Sequence, residues 1–244
     1  LELDNDAVNA AIPGALQIGD GDGPAQSAVA RLLQSWEIDN AATVTVNSDG
    51  LLDLNGYGEN IGALVVSRGG VALGSGDLNV ASVTMTGGTV SGTDTGFLIL
   101  SGNLEADSDR GGNPATISAA VELNGGNRLF TVGDGSGAND LLVSGAVHDS
   151  SGTGTLTKTG DGTMTLEGAN PFPGLTTVSG GTLVLSGSLT GGLSASNGVF
   201  APQGSPMVAG PVTISGHGSA HLAVRINGTI PGTQHDQQIG RAHV

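Results

Sequence analysis

The sequence predicts an all-β chain wound as a single-stranded, right-handed parallel β-helix, that is, a β-solenoid. Three observations predict it: short segments with a period of two, glycine pairs between those segments, and an aliphatic apolar content. Of the 244 residues 44 are Gly, and aromatic residues make up only 2%. Sandwiches and barrels usually fill their cores with aromatic side chains, so stacked ladders of aliphatic residues match this composition better.

The period of two is clearest in residues 163–166, where Met164 and Leu166 fall on one face and two threonines fall on the other. Alternation of this kind indicates β-strands with aliphatic residues inward and threonines such as Thr165 outward. Asp-Gly, Asn-Gly and Gly-Gly pairs bound the segments and supply the positive φ angles of tight turns. We predict the following interior positions: Leu156, Met164, Leu166, Val178, Leu183 and Leu185.

Three short units recur along the chain. Residues 43–56 and 155–168 share the frame Thr-x-Thr-x-x-x-Asp-Gly-x-x-x-Leu-x-Gly. Residues 85–89 match 178–182, and residues 98–102 match 183–187. The irregular spacing of the copies predicts a degenerate array in which each coil stacks on the next.

Two segments differ from this repeat pattern, and the start of the chain is informative as well. Residues 27–38 are ambiguous, because Ala28, Val29, Leu32, Leu33 and Trp36 suit either one face of a short helix or a strand followed by a turn. Residues 239–244 resemble the translation of a sequencing adapter, and we exclude them from the fold. The chain begins without Met, so we expect residues 1–238 to be a solenoid fragment of a longer protein.

The charge balance excludes several partners. The chain has 22 acidic and 7 basic residues, a formal net charge of −15. Nucleic acids and anionic membrane surfaces bind clustered basic residues, and no basic cluster is visible in the sequence. No apolar stretch is long enough for direct membrane insertion, and there is no Cys for thiol catalysis. The basic residues are Arg31, Arg68, Arg110, Arg128, Lys158, Arg225 and Arg241.

Residues 154–170 and 174–187 closely resemble the autotransporter-associated β-strand repeat, also called the passenger-associated transport repeat. The flanking segments 44–56 and 222–229 are similar to sequences that accompany this repeat. The resemblance implies a pectin-lyase-like parallel β-helix, a non-catalytic passenger or stalk, and an extracellular or outer-membrane-attached location. The sequence departs from the repeat at Pro171–Pro173, where a Thr-Tyr-Thr-like turn is usual, and at Asp161 and Glu167, where small residues are commoner. We expect the turn to survive and to be stiffened by its prolines.

Two glycine- and aspartate-rich segments are candidates for calcium sites. Residues 133–143 are similar to the calcium-binding nonapeptide of β-rolls, with Asp134 and Asp140 as the candidate ligands. A single copy cannot build the shared sites of stacked β-roll turns, so a polar turn is the favoured interpretation. Residues 19–23 lack the spaced ligands of an EF-hand loop.

The spacing of the histidines predicts no metal site. His217 and His221 lie four residues apart in a strand-like context, about 13 Å in an extended chain, which is too far to share one zinc ion. His148 and His235 are predicted in polar turns, and the sequon at Asn227–Thr229 is interpreted as a plain turn. We predict no catalytic residue, no metal ligand and no cofactor.

Three functional classes remain. The favoured one is a non-enzymatic stalk whose partners are neighbouring repeats and domains of the same longer chain, with surface glycans or a host surface as a further, adhesive possibility. The alternative is a β-helix polysaccharide lyase or glycoside hydrolase, the latter needing only two carboxylates about 5–10 Å apart. A third class binds surfaces through stacked Thr-x-Thr pairs, for which the spacing of the pairs at 43/45, 155/157 and 163/165 is too irregular.

Overall fold

The computed structural model describes residues 1–5, 11–93, 95–215 and 220–223, which form a parallel β-solenoid of about ten turns. The described residues contain strands and turns but no helix. Every strand pairs in parallel with a strand of the next coil, as at β-pairs Leu52–Val71 and Val71–Val90. The predicted parallel solenoid is therefore confirmed.

The strands are short and follow one another in a regular succession. In chain order, the first fourteen are β1 (Glu2–Leu3), β2 (Leu16–Ile18), β3 (Ala28–Leu32), β4 (Thr43–Val46), β5 (Gly50–Asp53), β6 (Glu59–Ser67), β7 (Gly70–Ala72), β8 (Leu78–Thr86), β9 (Thr89–Ser91), β10 (Phe97–Leu100), β11 (Leu104–Asp107), β12 (Ala115–Ile117), β13 (Ala120–Glu122) and β14 (Asn127–Val132). The remainder are β15 (Leu141–Val143), β16 (Val147–His148), β17 (Thr155–Thr159), β18 (Thr163–Leu166), β19 (Ala169–Asn170), β20 (Thr176–Val178), β21 (Thr182–Leu185), β22 (Ser188–Leu189), β23 (Leu193–Ala195), β24 (Val199–Pro202), β25 (Met207–Val208), β26 (Val212–Ile214) and β27 (His221–Leu222).

The strands form three sheets that run along the solenoid. Sheet 1 has eleven strands in the order β1-β3-β5-β7-β9-β12-β15-β18-β21-β24-β27. Sheet 2 has thirteen strands, and it divides at β8, whose first half pairs with β10 and whose second half pairs with β11. Sheet 3 has the order β19-β22-β25. From β9 onward each coil contributes three strands separated by turns: one in sheet 1 and two in sheet 2 or, from β19, one each in sheets 3 and 2.

The number of residues per coil varies widely. Leu185 pairs with Pro202, 17 positions later, whereas Leu3 pairs with Leu32, 29 positions later. The strands of sheet 1 have only two to five residues each, so most of the difference lies in the turns and in the strands of the other sheets. This variation explains why the sequence repeats are irregularly spaced although the coils stack in register.

A single hydrophobic core runs through the solenoid from Leu3 to Phe200. Its side chains come from alternate positions of each strand, as in β4, where Val44 and Val46 are buried and Thr43 is exposed. All six predicted interior residues are fully buried, with 0% exposure. The aliphatic ladders expected from the composition are thus the core of the protein.

Two of the three repeat units occupy equivalent places. Residues 43–56 span β4, a turn and β5, and residues 155–168 span β17, a turn and β18, so both cross from sheet 2 to sheet 1. Residues 85–89 and 178–182 cross the same corner. The third unit is not a structural repeat, because residues 98–100 belong to sheet 2 whereas residues 183–185 belong to sheet 1.

The structure settles two local predictions. The ambiguous segment 27–38 forms β3 followed by bends, so the strand alternative is confirmed. The expectation that Thr165 faces solvent is wrong: it is only 8% exposed, and its hydroxyl contacts Asn139 of the preceding turn at 3.1 Å. Alternation correctly placed Thr165 on the outer face of sheet 1, but the long turn that contains Asn139 covers the sheet at this point.

Candidate functional site

The corner between sheet 2 and sheet 1 holds both candidate calcium segments. Here each coil ends a sheet 2 strand and begins a sheet 1 strand, with turns at residues 19–27, 47–49, 68–69, 87–88, 108–114, 133–140, 160–162, 179–181 and 196–198. We call this edge the acidic corner. Because the turns stack on one another, polar groups from distant parts of the sequence meet there.

Asp140 is the central residue of the 133–140 turn and is only 1% exposed. One carboxylate oxygen accepts hydrogen bonds from the Ser108 hydroxyl at 2.7 Å and the Gly135 amide at 3.0 Å. The other accepts from the Thr163 amide at 2.9 Å. Asp140 therefore ties three successive coils together through donors of the protein itself.

Asp134 occupies a different environment from Asp140, since it lies exposed in the same turn. Burial, followed by the charges of Asp140 and Asp134, raises the pKa of Asp107 at the end of β11. No three His, Asp or Glu side chains in the described part of the chain are grouped so that they could hold a metal ion. The favoured interpretation as a polar turn agrees with the hydrogen bonds of Asp140.

Replacing Asp140 tests whether this turn is structural. We expect Asp140→Ala to lower the free energy of unfolding by about 2 kcal/mol, because it leaves the buried Ser108 hydroxyl and the amides of Gly135 and Thr163 without their acceptor. The exposed Asp134→Ala is the matched control and should change stability by less than about 0.5 kcal/mol. Calorimetric titration with Ca²⁺ should show the same weak, diffuse binding in the parent and in Asp134→Ala. A stoichiometric micromolar site lost in Asp134→Ala would contradict the structural interpretation.

The 19–23 segment is also held by the next coil. The Gly21 amide donates to Asp49, which is 4% exposed, at 2.7 Å, and the Asn47 side-chain amide donates to the Gly19 carbonyl at 2.7 Å. The Asp22 amide donates to the Asp20 carboxylate at 2.9 Å, which closes a local turn. Asp20 and Asp49 thus accept hydrogen bonds from backbone amides, as Asp140 does.

Lys158, the single lysine, lies inside the solenoid with 0% exposure. It occupies an interior position of β17 between Phe130 and Val178 of the neighbouring coils. Its ammonium group donates to the carbonyls of Thr159, Gly160 and Gly180 at 3.1, 2.8 and 3.0 Å. Burial lowers its pKa to about 8, against the opposing attraction of Asp140 and Asp161.

Sequence reasoning missed this buried lysine, although a signal was present. Leu156 and Lys158 are two residues apart in one strand, so alternation places both on the interior face. Lysine side chains are rarely buried, so the residue type by itself indicates a surface position for Lys158. The long side chain carries its charge from the core to the acidic corner, where carbonyl groups at the turn receive it.

Asn170 and Phe172 fill the corner between β19 and β20. Asn170 is 1% exposed; it accepts from the Val147 amide and donates to the carbonyls of Gly168 and Ser188, so it bridges the coils on both sides. Phe172 is also 1% exposed, between two exposed prolines. Residues 171–173 connect β19 to β20, with the aromatic side chain of Phe172 packed into the core.

The two histidines in the described part of the chain, His148 and His221, belong to different sheets. His148 lies at the end of β16 and makes an edge contact with Phe97, with 5.4 Å between the ring centroids, so its predicted place in a turn is wrong. His221 is exposed in β27 beside Val199. His217, His235 and the sequon at 227–229 lie outside the described residues, as do Arg225, Arg241 and residues 239–244.

The Thr-x-Thr pairs do not stack on one another. Thr157 pairs with Leu129 on one side and Thr177 on the other, and Thr165 pairs with Leu142 and Val184. Thr45 lies between Gln17 and Val65. A flat threonine array therefore does not form at these pairs, and surface binding through them is not supported.

The prediction that the basic residues form no cluster is wrong for two of them. Arg68 and Arg110, 42 positions apart, line one cavity of about 320 Å³ together with Ser67, Thr86 and Asp109. We call this cavity the arginine cleft. The sequence alone could not show that these residues meet, because the number of residues in each turn decides which positions of successive coils become neighbours.

The fold and these corners define a parallel β-solenoid whose turns are held by buried polar side chains. Within it, residues 156–185 match the family model of the passenger-associated-transport-repeat. The resemblance of the sequence to this repeat is thus confirmed for a segment that runs from β17 to β21 and includes Lys158 and Asn170. No curated protein and no solved structure matches the chain. No membrane-spanning helix was found among the described residues.

Proposed function

We propose that this solenoid is a non-catalytic spacer of a bacterial secreted or cell-surface protein, extracellular or attached to the outer membrane. The continuous core, which joins all coils from Leu3 to Phe200 in one cluster, is the observation that carries the proposal. A solenoid with one uninterrupted core resists bending, because each coil contacts its neighbours over its whole cross-section. The passenger repeat at 156–185 supports the surface location.

The dimensions suit a spacer. Sheet 1 has eleven strands and therefore ten steps along the axis. At about 4.8 Å per step the described solenoid is roughly 48 Å long. Each further coil adds one step, so length is set by the number of coils and hardly by the number of residues.

The acids of the corners support a structural role over the enzyme alternative. Asp140, Asp149 and Glu122 each accept hydrogen bonds from backbone amides of neighbouring turns. Asp109 in the arginine cleft accepts from Gly111 and Asn113, whose hydrogen bonds lower its pKa. A glycosidase acid needs a carboxyl group whose pKa is raised so that it keeps its proton. Asp109 and Asp149 have the opposite property. Burial raises the pKa of Asp107 and of Glu59, so the contrast with a glycosidase acid holds for the first two acids.

Removing one whole coil tests the spacer function. Deletion of residues 70–88 removes β7 and β8, which together make one coil. In the parent, Val71 of β7 pairs with Leu52 of β5 on one side and with Val90 of β9 on the other, so after the deletion Val90 can pair directly with Leu52. Labels at Glu2→Cys and Gln203→Cys, nine sheet 1 steps apart, allow pulsed electron paramagnetic resonance. We expect one narrow distance of about 43 Å in the parent and a shift of about 5 Å downward in the deletion variant.

The matched control removes half a coil. Deletion of residues 70–79 breaks the register of β8 with β6 and should destabilise the protein strongly. A broad distance distribution in the parent, or an unchanged distance after deletion of 70–88, would argue against a stiff spacer. The enzyme alternative would be supported by turnover of neutral or acidic polysaccharides that is abolished by one Asp or Glu substitution.

A further inference from the structure

The arginine cleft places two cationic side chains and one carboxylate, Asp109, on the surface of an acidic protein, and the charge of Arg68 adds to the hydrogen bonds of Asn113 in lowering the pKa of Asp109. Both Arg68 and Arg110 are exposed. Within the described residues, neither guanidinium group has a carboxylate within 4.0 Å or a side-chain hydrogen bond, whereas Arg31 pairs with Asp53 at 2.7 Å. Ser67 and Thr86, which both carry a hydroxyl group, line the same cavity. In a chain of net charge −15, two arginines in one cavity are a local concentration of positive charge.

Arg68 adopts an unusual backbone conformation. Its φ is 61°, in the left-handed region that favours glycine. In the next coil the stacked position is Gly87, since Ser67 pairs with Thr86, and Gly87 has φ 60°. A glycine would fit position 68 without strain, so the arginine side chain is held there at a cost. Backbone strain of this kind is a recognised sign of a functional position.

The turn that carries Arg110 is built as a rigid support. The Asp109 amide donates to the Asn113 carbonyl at 2.8 Å, and the Gly112 amide donates to the Asp109 carbonyl at 2.9 Å. The Asp109 carboxylate accepts from the amides of Gly111 and Asn113 and from the Asn113 side chain. Asp109 thus fixes the turn beside Arg110. Its negative charge leaves the cleft with one net positive charge.

Gly87 keeps the cleft open. A Cβ atom at this position would lie 3.0 Å from the Asp109 side chain and 3.4 Å from Arg68. The absent side chain therefore leaves space between the coil that carries Arg68 and the coil that carries Arg110.

We propose that the arginine cleft binds the carboxylate or sulfate group of an acidic glycan. Guanidinium groups pair with two oxygens of a carboxylate or of a tetrahedral oxyanion through two parallel hydrogen bonds, and the hydroxyl groups of Ser67 and Thr86 can bond to sugar hydroxyls. A cavity of about 320 Å³ is at the lower end of small-ligand sites. One net positive charge is too little for a nucleic acid, whose binding needs many basic contacts. This site is independent of the spacer function, which would remain if the cleft bound nothing.

Calorimetric titration of the whole chain at low salt with three tetrasaccharides tests the proposal: an oligogalacturonate, a sulfated oligosaccharide and a neutral maltotetraose. We expect binding of at least one acidic probe, no binding of the neutral one, and weakening with added NaCl. Inorganic sulfate should compete only if the oxyanion is the recognised group. Arg68→Gln and Arg110→Gln should each weaken binding by about tenfold or more.

Two variants separate binding from folding and from charge. Arg68→Gly should lose binding without any fall in melting temperature, because glycine accepts the left-handed conformation. Arg31→Gln makes the same change of charge at the distant pair with Asp53 and should keep parental affinity. The proposal is overturned if neither acidic probe binds, if the neutral probe binds equally well, or if Arg68→Gln and Arg31→Gln bind alike.

Discussion

Val83→Asp is expected to lower the free energy of unfolding by about 4 kcal/mol or more, whereas Ser82→Asp on the same strand should cost less than about 0.5 kcal/mol. Val83 is 1% exposed and pairs with Leu64 and Leu104, which are both fully buried. Valine and aspartate are similar in size, so the variant changes polarity while barely changing volume. The new carboxylate would have only aliphatic neighbours and no donor.

Ser82 is a suitable control because it is exposed and pairs with Ala63, with no acid as its paired neighbour. The neighbouring Thr84 would be a poor control, since it pairs with Glu105 and an aspartate there would meet a like charge. Urea denaturation gives the loss of stability for both variants. Similar losses in Val83→Asp and Ser82→Asp would show that the inward and outward faces of β8 are not energetically distinct.

The solenoid also predicts where the damage lies. Because each coil contacts mainly its neighbours, an unstable coil can open while distant coils stay folded. Hydrogen exchange in Val83→Asp should therefore increase most in β6, β8 and β11, and least in β21 and β24. A uniform increase along the chain would instead indicate a fully cooperative solenoid.

Alternation in the sequence was enough to predict the interior. Leu156, Met164 and Leu166 could be assigned from two strands alone, because a period of two fixes the face of every residue in a strand. The same rule assigns Lys158 to the interior. The residue type pointed the other way, because a lysine is stable in the interior only where its ammonium group can reach carbonyl groups. In this protein the carbonyl groups of Gly160 and Gly180 come from two different coils, and their proximity cannot be read from the sequence.

The corners could not be predicted in the same way. Thr165 is covered because Asn139 belongs to a long turn of the preceding coil, and the arginine cleft forms because the corner turn after Ser67 is short while the one carrying Arg110 is long. Turn length varies freely in a solenoid whose strands stay in register. The sequence therefore predicts faces and ladders well, but the residues that meet at a corner depend on the stacking of the turns.

The buried lysine should give the protein an unusual alkaline stabilisation. Lys158 has a pKa of about 8 in the folded protein and an ordinary value of 10.5. Below pH 8 the side chain is charged in both states, and the folded protein carries the full cost of burying the charge. Between pH 8 and pH 10.5 the folded protein has lost the proton while the unfolded chain keeps it, so unfolding takes up a proton and stability rises with pH. The rise expected from this group is about 3 kcal/mol.

Lys158→Met isolates this contribution. Methionine fills a similar space between Phe130 and Val178 but cannot titrate, so other groups that ionise in the same range are common to both proteins. Urea denaturation at intervals from pH 7 to pH 10.5 gives the free energy of unfolding of each. We expect the free energy of unfolding of the parent, relative to that of Lys158→Met, to increase by about 3 kcal/mol across this range. Parallel stability curves would mean that Lys158 keeps its ordinary pKa, and hence that its ammonium group reaches water in place of the carbonyls of Thr159, Gly160 and Gly180.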